Sequence, residues 1–256
     1  MSNPLKDAWK NGRPTVNGWL AIPSGFAAEV MAQAGFDSLT VDMQHGVQDY
    51  MSTVACFQAM QPHGGVPMAR VPWLEFGTIG KVLDAGALGI ICPMINSADE
   101  ARTLVDACRY PAPGTAIGKR SFGPIRAGIY GEGADYFAGA NDSIAVIAMI
   151  ETAQALERLD AILDVEGLDA IYIGPSDLGI SLGLGPKMDR EEPEMLRHYE
   201  RLVRAARDRN LGIGIHCATG AYARRAFGMG FTFATPGNDS GAMLVHSRAQ
   251  VRDARG

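Results

Sequence analysis

Short runs of apolar residues recur along the chain between segments with an amphipathic, helix-like spacing. Eight of these runs have the length of a strand: Gly18–Ile22, Ser38–Val41, Val66–Val71, Leu88–Cys92, Ile144–Ile150, Ala170–Ile173, Gly212–His216 and Phe231–Thr235. Their hydrophobicity is continuous, which is typical of strands buried on both faces in a parallel sheet covered by helices. Eight strand-then-helix units in 256 residues predict a closed (β/α)₈ TIM barrel, because an open doubly wound sheet usually has fewer strands.

The segments between the strands carry ordinary helix signals. Ser24 and Ser97 precede helix-like stretches as candidate N-caps. The longest irregular stretch, Tyr110 to Asp142, lies between the fourth and fifth strands and contains three prolines and seven glycines. A loop of this length is usually functional or part of an interface. No repeat, linker or low-complexity segment divides the chain, so residues 1–256 are expected to form one domain.

The composition argues against several classes of partner and site. A formal net charge of −5 and a pI near 5.5 provide no basic surface for nucleic acid or an anionic membrane. The N-terminus lacks an apolar signal-peptide core, and no segment approaches the ~18 apolar residues of a membrane span, so we expect a cytoplasmic protein. The four cysteines lie far apart without CxxC spacing, which favours reduced thiols packed in the core over a zinc site or disulfides.

Polar residues follow several predicted strands, where a TIM barrel places its chemistry. The second strand leads into VDMQHG, in which Asp42 could orient the ring of His45 and raise its basicity; a structural role is the alternative for this histidine. Arg70, in VPMARVPW, cannot stay buried without a partner. It either meets an anion at the barrel mouth or forms a structural salt bridge. His216, which ends the seventh strand, either lines the mouth or packs behind it.

Two carboxylates follow neighbouring strands. Glu151 comes directly after AVIAMI, and Asp177 follows LDAIYIGPS. Adjacent parallel strands lie ~4.8 Å apart, so both acids can reach one point, where they repel unless they share a proton or a cation. Oxygen ligands without Cys or His favour Mg²⁺ or Mn²⁺ over zinc, with water or substrate completing the coordination. The alternative is that the acids cap or begin helices, Glu151 at a helix over Thr152–Leu163.

The lysines are poorly placed for a Schiff-base aldolase, which needs a lysine at a strand end. All five lie in the N-terminal region, a predicted helix or loops: Lys6, Lys10, Lys81, Lys119 and Lys187. For aldol chemistry, this placement favours a metal-dependent route.

Four stretches carry a resemblance to a known family: GWLAIPSGFAAEVMAQAGFDSLTVDMQHG, ARVPW, KVLDAGALGIICPMINSADEA and MIETAQALERLDAILDVEGLDAIYIGPSDLGISLG. Their order and spacing resemble the HpcH/HpaI aldolases, metal-dependent class II enzymes of the phosphoenolpyruvate/pyruvate barrel superfamily. The resemblance covers most of the chain. It implies a TIM barrel that uses Mg²⁺, Mn²⁺ or Co²⁺ to cleave a 4-hydroxy-2-oxo acid reversibly to pyruvate, or a close analogue, and an aldehyde. It also implies a homo-oligomer, often a hexamer.

The resemblance implies roles for the central residues of the site. Glu151 and Asp177 match the residues that hold the divalent metal. Arg70 matches the residue that binds the 2-oxo oxygen, and His45 with Asp42 matches the acid/base dyad.

The resemblance extends to residues around this centre. Asp84, in KVLDAGA, matches an outer-shell acid that holds metal-bound water. The backbone of Gly174, Pro175 and Ser176 matches the segment that receives the substrate carboxylate, and the start of a helix suits an anion. Trp19 matches an aromatic residue that lines the pocket, with core packing as the alternative.

The sequence departs from the family pattern at Gln44, where the family has Glu just before the histidine. Gln keeps a hydrogen bond and removes a charge next to the metal site, so metal affinity, water basicity or substrate preference is expected to differ. The segment KRSFGPIRAGIYGEGADYFAGAN indicates a separate subgroup. Arg120 and Arg126 are therefore candidates for contacts to the aldehyde acceptor, with solvated surface arginines as the alternative.

Two other functions stay open from the sequence. A lyase or decarboxylase acting on a 2-oxo diacid or a CoA thioester would use the same site, and release of CO₂ from oxaloacetate without aldol cleavage would support it. A non-catalytic barrel that binds a metal and a 2-oxo acid as a sensor would retain pyruvate without turnover. The set of Arg70, His45, Glu151 and Asp177 argues against a sensor, and no motif identifies the aldehyde.

Overall fold

Eight parallel strands form a closed barrel in chain order in the computed structural model, which describes residues 3–130 and 134–256. The strands are β1 (Thr15–Leu20), β2 (Ser38–Asp42), β3 (Val66–Arg70), β4 (Gly89–Cys92), β5 (Ala145–Ile150), β6 (Ala170–Ile173), β7 (Gly212–Cys217) and β8 (Phe233–Pro236). Pairing of Thr15 with Phe233 closes the barrel between β1 and β8. The predicted TIM barrel is confirmed, and the largest change to a strand start is at β1, which begins at Thr15 instead of Gly18.

Helices cover the outside of the barrel. Within the described residues they are α1 (Pro4–Lys10), α2 (Gly25–Ala32), α3 (Tyr50–Met60), α4 (Phe76–Asp84), α5 (Ala98–Cys108), α6 (Ile125–Tyr130), α7 (Ala134–Ser143), α8 (Ala153–Glu157), α9 (Leu159–Leu163), α10 (Pro175–Ser181), α11 (Pro193–Arg207), α12 (Gly220–Gly228) and α13 (Asp239–Arg255). A 3₁₀ helix over Gln61–His63 follows α3. None of these helices is long and apolar enough to cross a membrane.

Sequence signals at the helix ends are partly confirmed. Ser24 and Ser97 are N-caps, and their hydroxyls accept the backbone N–H groups of Ala27 and Glu100 at 3.3 and 3.2 Å. The predicted irregular stretch from Tyr110 to Asp142 is wrong in its second half, which contains α6 and α7. The single helix predicted over Thr152–Leu163 is also wrong, because two short helices, α8 and α9, meet at Arg158.

Two apolar layers hold the barrel together. Inward-pointing residues of six of the strands pack as one cluster, which includes Met68, Ile147 and Tyr172, while the outward-pointing residues pack against the helices. Helix α1 covers the amino-terminal end of the barrel, where the Trp9 ring stacks on Phe233 with centroids 5.0 Å apart. With one end covered, the carboxyl ends of the strands form the open mouth. The four cysteines are buried free thiols, as predicted.

Candidate active site

A cavity of about 340 Å³ opens at the carboxyl ends of the strands. It is lined by Trp19, Ala21, Asp42, His45, Arg70, Met149, Tyr172, Gly174, Pro175, Ser176, Asp177, Met188, His216, Asn238 and Ser240. The structure thus brings most of the predicted site residues to one place.

Asp42 and Arg70 form a two-point ion pair across neighbouring strands. They are directly opposite each other in the pairing of β2 with β3, and Arg70 Nε and Nη2 donate to the two carboxylate oxygens at 2.8 and 2.7 Å. Burial of Asp42 raises its pKa, but the hydrogen bonds and charge of Arg70 lower it further, so the net shift is downward. The guanidinium lies 4.8 Å from the centre of the Trp19 ring. Arg70 Nη1 has no hydrogen-bond partner among the described residues and remains available to a ligand in the cavity.

His45 is held by the backbone of the turn that follows β2. The backbone N–H groups of Gln44 and His45 donate to Asp42 Oδ1 at 3.1 and 3.3 Å, and the exposed His45 ring lines the cavity. The sequence suggested that Asp42 orients this ring. In the structure the Asp42 carboxylate is bound by Arg70 and by the turn, so it positions the His45 main chain.

Glu151 is buried at the end of β5. The pairing of Ile150 with Ile173 puts Glu151 level with Gly174, and the side chain is 2% exposed. Its Oε1 accepts the backbone N–H of Met94 at 2.8 Å. Met94 has a φ of 57°, a left-handed conformation that costs a residue with a side chain free energy and is often found at functional sites. The β4–α5 loop is therefore shaped to reach this carboxylate.

The helix-cap alternative for Glu151 is wrong. Thr152 is the N-cap of α8, and its side-chain oxygen accepts the backbone N–H of Ala155 at 3.0 Å. Gly174 makes room for the carboxylate, because a Cβ atom at this position would overlap Glu151 Oε2.

The electrostatic environment of Glu151 fits a cation. Burial raises the pKa of Glu151 to about 7, the Met94 N–H opposes this shift, and the charge of Asp177 adds to it. Among the described residues, the Glu151 carboxylate accepts a hydrogen bond only from Met94 and has no ion-pair partner. A buried acid next to a second acid is therefore left without a neutralising group, and a hard divalent cation would provide one.

Asp177 lies in the first turn of α10 and is exposed. It does not cap this helix, since Gly174 occupies the N-cap position. No group of three or more His, Cys, Asp or Glu side chains arranged to hold a metal is found in the described part of the chain. A cation between Glu151 and Asp177 would therefore have two protein ligands and take the others from water or substrate.

Asp84 and Arg120 lie outside this cavity. Helix α4 runs away from the mouth, and Asp84 is its last residue, where it accepts a hydrogen bond from Arg120 at 2.7 Å. The Arg120 side chain is 0% exposed, donates to Tyr136 at 2.9 Å and stacks 4.4 Å from the Tyr110 ring centre. Neither residue lines the cavity of its own chain, so the structure does not bring these two predicted site residues to the others.

Arg126 and Gln44 are also separate from the cavity wall. Arg126 donates to the carbonyl of Ala85 at 2.5 Å and to Gln61 at 3.1 Å, near the amino-terminal end of the barrel. This position is unsuited to an acceptor contact within one chain. Gln44 is half-buried, and its Oε1 has no hydrogen-bond partner among the described residues.

Several cavity residues were not selected from the sequence. Tyr172 stands inside the apolar run of β6, two residues before Gly174, and the alternation of a strand places both on the inner side. This alternation along β6 is the sequence signal that could have identified Tyr172 as a cavity residue. Asn238 and Ser240 belong to the start of α13, where Asn238 is the N-cap, and a cap signal does not distinguish a residue that also lines a cavity.

A model of the HpcH/HpaI aldolase/citrate lyase family matches residues 18–245. The chain belongs to this family. It is 37% identical over 254 residues to a protein of Rhizorhabdus wittichii named hydroxypyruvate/pyruvate aldolase, with 99% of both chains covered. It is 36% identical to a 4-hydroxy-2-oxo-heptane-1,7-dioate aldolase of Salmonella paratyphi B, covering 94% of this chain and 90% of that one.

A solved structure agrees with this membership. The crystal structure of an HpcH/HpaI aldolase/citrate lyase family protein from Burkholderia cenocepacia superposes with a TM-score of 0.93 at 29% identity and covers 100% of both chains. The resemblance of the sequence to HpcH/HpaI aldolases is confirmed.

Proposed function

We propose that this chain is a divalent-cation-dependent aldolase that reversibly cleaves a 4-hydroxy-2-oxo acid to pyruvate, or a close analogue, and an aldehyde. One observation carries the proposal: a single cavity at the barrel mouth is lined by Arg70, Asp42, His45 and Asp177, and the buried Glu151 lies against Gly174 in the wall of this cavity. Membership of the HpcH/HpaI family and the aldolase names of both relatives support a carbon–carbon lyase.

Glu151 and Asp177 are the residues that would hold the cation. A divalent ion bound there supplies Lewis-acid polarisation to the carboxylate and keto oxygens of a 2-oxo acid. Pro175, the first residue of α10, has no N–H, so the backbone N–H groups of Ser176 and Asp177 are the ones that would receive the substrate carboxylate at the Gly174–Ser176 segment.

Arg70 and His45 provide the polar chemistry of the chain itself. Cleavage of the C3–C4 bond leaves negative charge on the keto oxygen, and the free Nη1 of Arg70 can donate to it. The two-point pair with Asp42 fixes the guanidinium in advance. His45 would take the 4-hydroxyl proton in cleavage and return it in synthesis.

A Schiff-base route is disfavoured by the cavity lining. None of the residues that line the cavity is a lysine. Lys6 and Lys10 lie on α1 and Lys81 on α4, away from the mouth. No lysine that could form a Schiff base therefore competes with the metal-dependent proposal among the described residues that line the cavity.

We also propose that the enzyme works as a homo-oligomer. Asp84, which the family resemblance connects with the site, and Arg120, the candidate for an acceptor contact, line a separate pocket and can contribute to an active site only from a second copy. The Asp84–Arg120 ion pair would then lie between subunits.

The test is pyruvate release from a panel of 4-hydroxy-2-oxo acids, with EDTA and after adding back Mg²⁺, Mn²⁺ or Co²⁺. We expect activity to be lost in chelator and restored by one or more of these ions. Loss of Arg70 should cost roughly 10²–10³ in rate, as for other groups that stabilise developing negative charge.

Three results would contradict the proposal. Full activity in EDTA would exclude the metal-dependent route, as would an unimpaired Glu151→Ala variant. Release of CO₂ from oxaloacetate without any aldol cleavage would replace the aldolase with a decarboxylase that uses the same site.

A further inference from the structure

Asn96, in the loop between β4 and α5, connects two neighbours of the buried Glu151. Its side-chain Nδ2 donates to the carbonyl of Met94 at 2.7 Å, and its Oδ1 accepts the hydroxyl of Thr152. Met94 is the residue whose N–H binds Glu151 at 2.8 Å, and Thr152 directly follows Glu151 in the chain. One amide therefore connects the donor that holds the carboxylate to the backbone that carries it.

These contacts have a defined direction. A carbonyl oxygen only accepts hydrogen bonds, so the amide nitrogen of Asn96 faces Met94 and the amide oxygen is left for Thr152. The Thr152 oxygen already accepts the backbone N–H of Ala155 at 3.0 Å, and its own hydrogen is directed at Asn96. With the bond from Met94, the contacts close a hydrogen-bond ring that consists of Glu151, Met94, Asn96 and Thr152.

Asn96 is also fixed by its backbone. Its N–H donates to Glu100 Oε2 at 2.6 Å, and Glu100 lies in the first turn of α5. The backbone N–H and both ends of the side chain are therefore engaged. Polar groups that are satisfied within one connected network hold one another in place, so Asn96 gives the loop a fixed position relative to α5.

The conformation of Met94 explains why the loop requires such a restraint. Its φ of 57° is left-handed, which is unfavourable for a residue with a side chain. A side-chain bond from Asn96 back to the carbonyl two residues earlier is a local contact that stabilises a turn. Without this bond, Met94 can return to a negative φ, and its N–H would then turn away from Glu151.

We propose that Asn96 is a positioning residue for the cation site. It keeps Met94 left-handed, and the Met94 N–H then fixes the Glu151 carboxylate where it can bind a divalent ion. The inference rests on the proposed function, which makes Glu151 a cation ligand. Asn96 is not among the described residues that line the cavity, so it acts through Glu151. Partners that orient metal-binding side chains typically contribute about 10- to 100-fold to metal affinity.

The first test is calorimetric titration of EDTA-treated, dialysed protein with Mn²⁺ alone. Asn96→Ala opens the hydrogen-bond ring, and we expect the Kd for Mn²⁺ to rise at least about tenfold. Ser97→Ala is the matched control in the same loop. It removes the hydroxyl that caps α5 and lowers stability, but it leaves every bond of the ring intact. Its Kd should stay within about twofold of wild type.

A glycine at position 94 tests the mechanism, because glycine adopts the left-handed conformation without a steric cost. In the Met94→Gly background, Asn96→Ala should raise the Kd for Mn²⁺ by less than about threefold. An equal loss of affinity in both backgrounds would show that Asn96 does not act through the conformation of Met94, and the inference would be wrong.

Hydrogen exchange of the metal-free protein gives a readout without the cation. The Met94 amide should exchange at least about tenfold faster in Asn96→Ala and at the wild-type rate in Ser97→Ala. Asn96→Asp replaces Asn96→Ala if the alanine variant does not fold. It keeps the size of the side chain but sets an oxygen against the Met94 carbonyl, so it should give the same faster exchange.

The outcomes separate this inference from the proposed function. If wild type binds Mn²⁺ and Asn96→Ala binds it equally well, the inference fails while the aldolase proposal stands. The same holds if Asn96→Ala and Ser97→Ala weaken binding equally, because Asn96 then only stabilises the loop. If wild type binds no Mn²⁺, both proposals fail.

Discussion

Glu151 combines almost complete burial with an acidic side chain, and this combination makes the metal-free protein sensitive to pH. Its folded-state pKa of about 7 lies above the ordinary value of 4.5. A raised folded-state pKa contributes stability that is complete below the unfolded pKa and is lost as pH rises through the folded one. The metal-free enzyme should therefore become less stable between about pH 4.5 and 7.

We predict that Glu151→Gln removes most of this pH dependence. The rise of the pKa from 4.5 to about 7 corresponds to roughly 3 kcal/mol, of which roughly 2 kcal/mol is lost between pH 5.5 and pH 8, a difference in Tm of about 4 °C or more for a chain of this length. Thermal unfolding of EDTA-treated wild type should give a lower Tm at pH 8 than at pH 5.5. In the variant the two values should lie closer together, because the amide does not ionise.

Added Mn²⁺ serves as the control for the same pair of proteins. At pH 8 the ion should raise the Tm of wild type by binding the folded state, and it should raise that of Glu151→Gln much less. An equal pH dependence in the two metal-free proteins would show that Glu151 is not the group that titrates.

Gly174 is the second residue on which the site depends, and we predict that Gly174→Ala impairs catalysis more than folding. The added Cβ would overlap Glu151 Oε2, so the carboxylate must move from the position fixed by Met94. We expect kcat/KM to fall at least about tenfold, since small displacements of catalytic groups have large effects on rate.

Gly80→Ala is the matched control for this substitution. Gly80 lies inside α4, and a Cβ there would meet no atom within 4 Å. Alanine should leave activity unchanged and stabilise the helix by up to about 1 kcal/mol. Similar kinetics in the two variants would exclude the steric account of Gly174.

The sequence predicts the central side chains of the site, because they lie at the ends of predicted strands. It does not predict the groups with which these side chains form hydrogen bonds. Arg70 and Glu151 are charged residues at the ends of apolar runs. Because active-site residues of TIM barrels lie at the carboxyl ends of the strands, the sequence identifies both directly. The contact of Glu151 with the Met94 N–H could not be predicted, because it depends on a left-handed residue in a loop from another strand. The bond from Asp42 to the His45 backbone likewise depends on turn geometry that spacing does not reveal.

Among the elements, α10 carries Asp177 and the start of the carboxylate-binding turn, and a buried arginine holds it in place. The Arg190 side chain is 0% exposed, donates from Nε to the carbonyl of Pro175 at 3.1 Å and binds the carbonyl of Gly185. It also pairs with Glu192 at 3.2 Å. One guanidinium therefore connects the loop after α10 to the first turn of that helix.

We predict that Arg190→Gln lowers the free energy of unfolding by about 3–5 kcal/mol, because it leaves buried carbonyl groups without their donor. It should also weaken Mn²⁺ binding, since Asp177 is two residues from Pro175. Urea unfolding and calorimetric titration measure the two effects.

Lys187→Gln is the control, because it removes an exposed partner of the same Glu192, 3.6 Å away, and it should change the free energy of unfolding by less than about 1 kcal/mol. Equal effects of the two substitutions would contradict the positioning role of Arg190.

The elements that the sequence predicted poorly lie in a stretch that contains many helix breakers. Helices α6 and α7 fall in a stretch where proline and glycine signals outweigh the helical spacing, so a loop was expected. Asp84 was assigned to the site from its motif, but the direction of α4 carries it away from the mouth. The order of the strands was predictable because the apolar runs follow one another along the chain. The position of Asp84 was not, because α4 runs from the mouth back towards the amino-terminal end of the barrel and its last residue cannot reach the cavity.

On the scale of the whole molecule, the surface of α13 argues for assembly. This helix has 17 residues, and Asp239, which accepts the backbone N–H groups of Ala21 and Ile22, is the one buried residue among them. Met243, Leu244 and Val245 are exposed on it. These three consecutive side chains point to different sides of a helix held at one end, and a monomer would leave all of them in water.

We predict that a second copy of the chain covers α13, so light scattering after gel filtration should give a mass well above the 27.2 kDa of one chain. Leu244→Glu and Val245→Glu together should shift the protein towards monomers, because burying two carboxylates in an apolar contact is costly. Arg252→Glu, a charge change on the same helix, is the control and should leave the mass unchanged. A wild-type mass of one chain at micromolar concentration would contradict the prediction and would also leave Asp84 and Arg120 without a route to any active site.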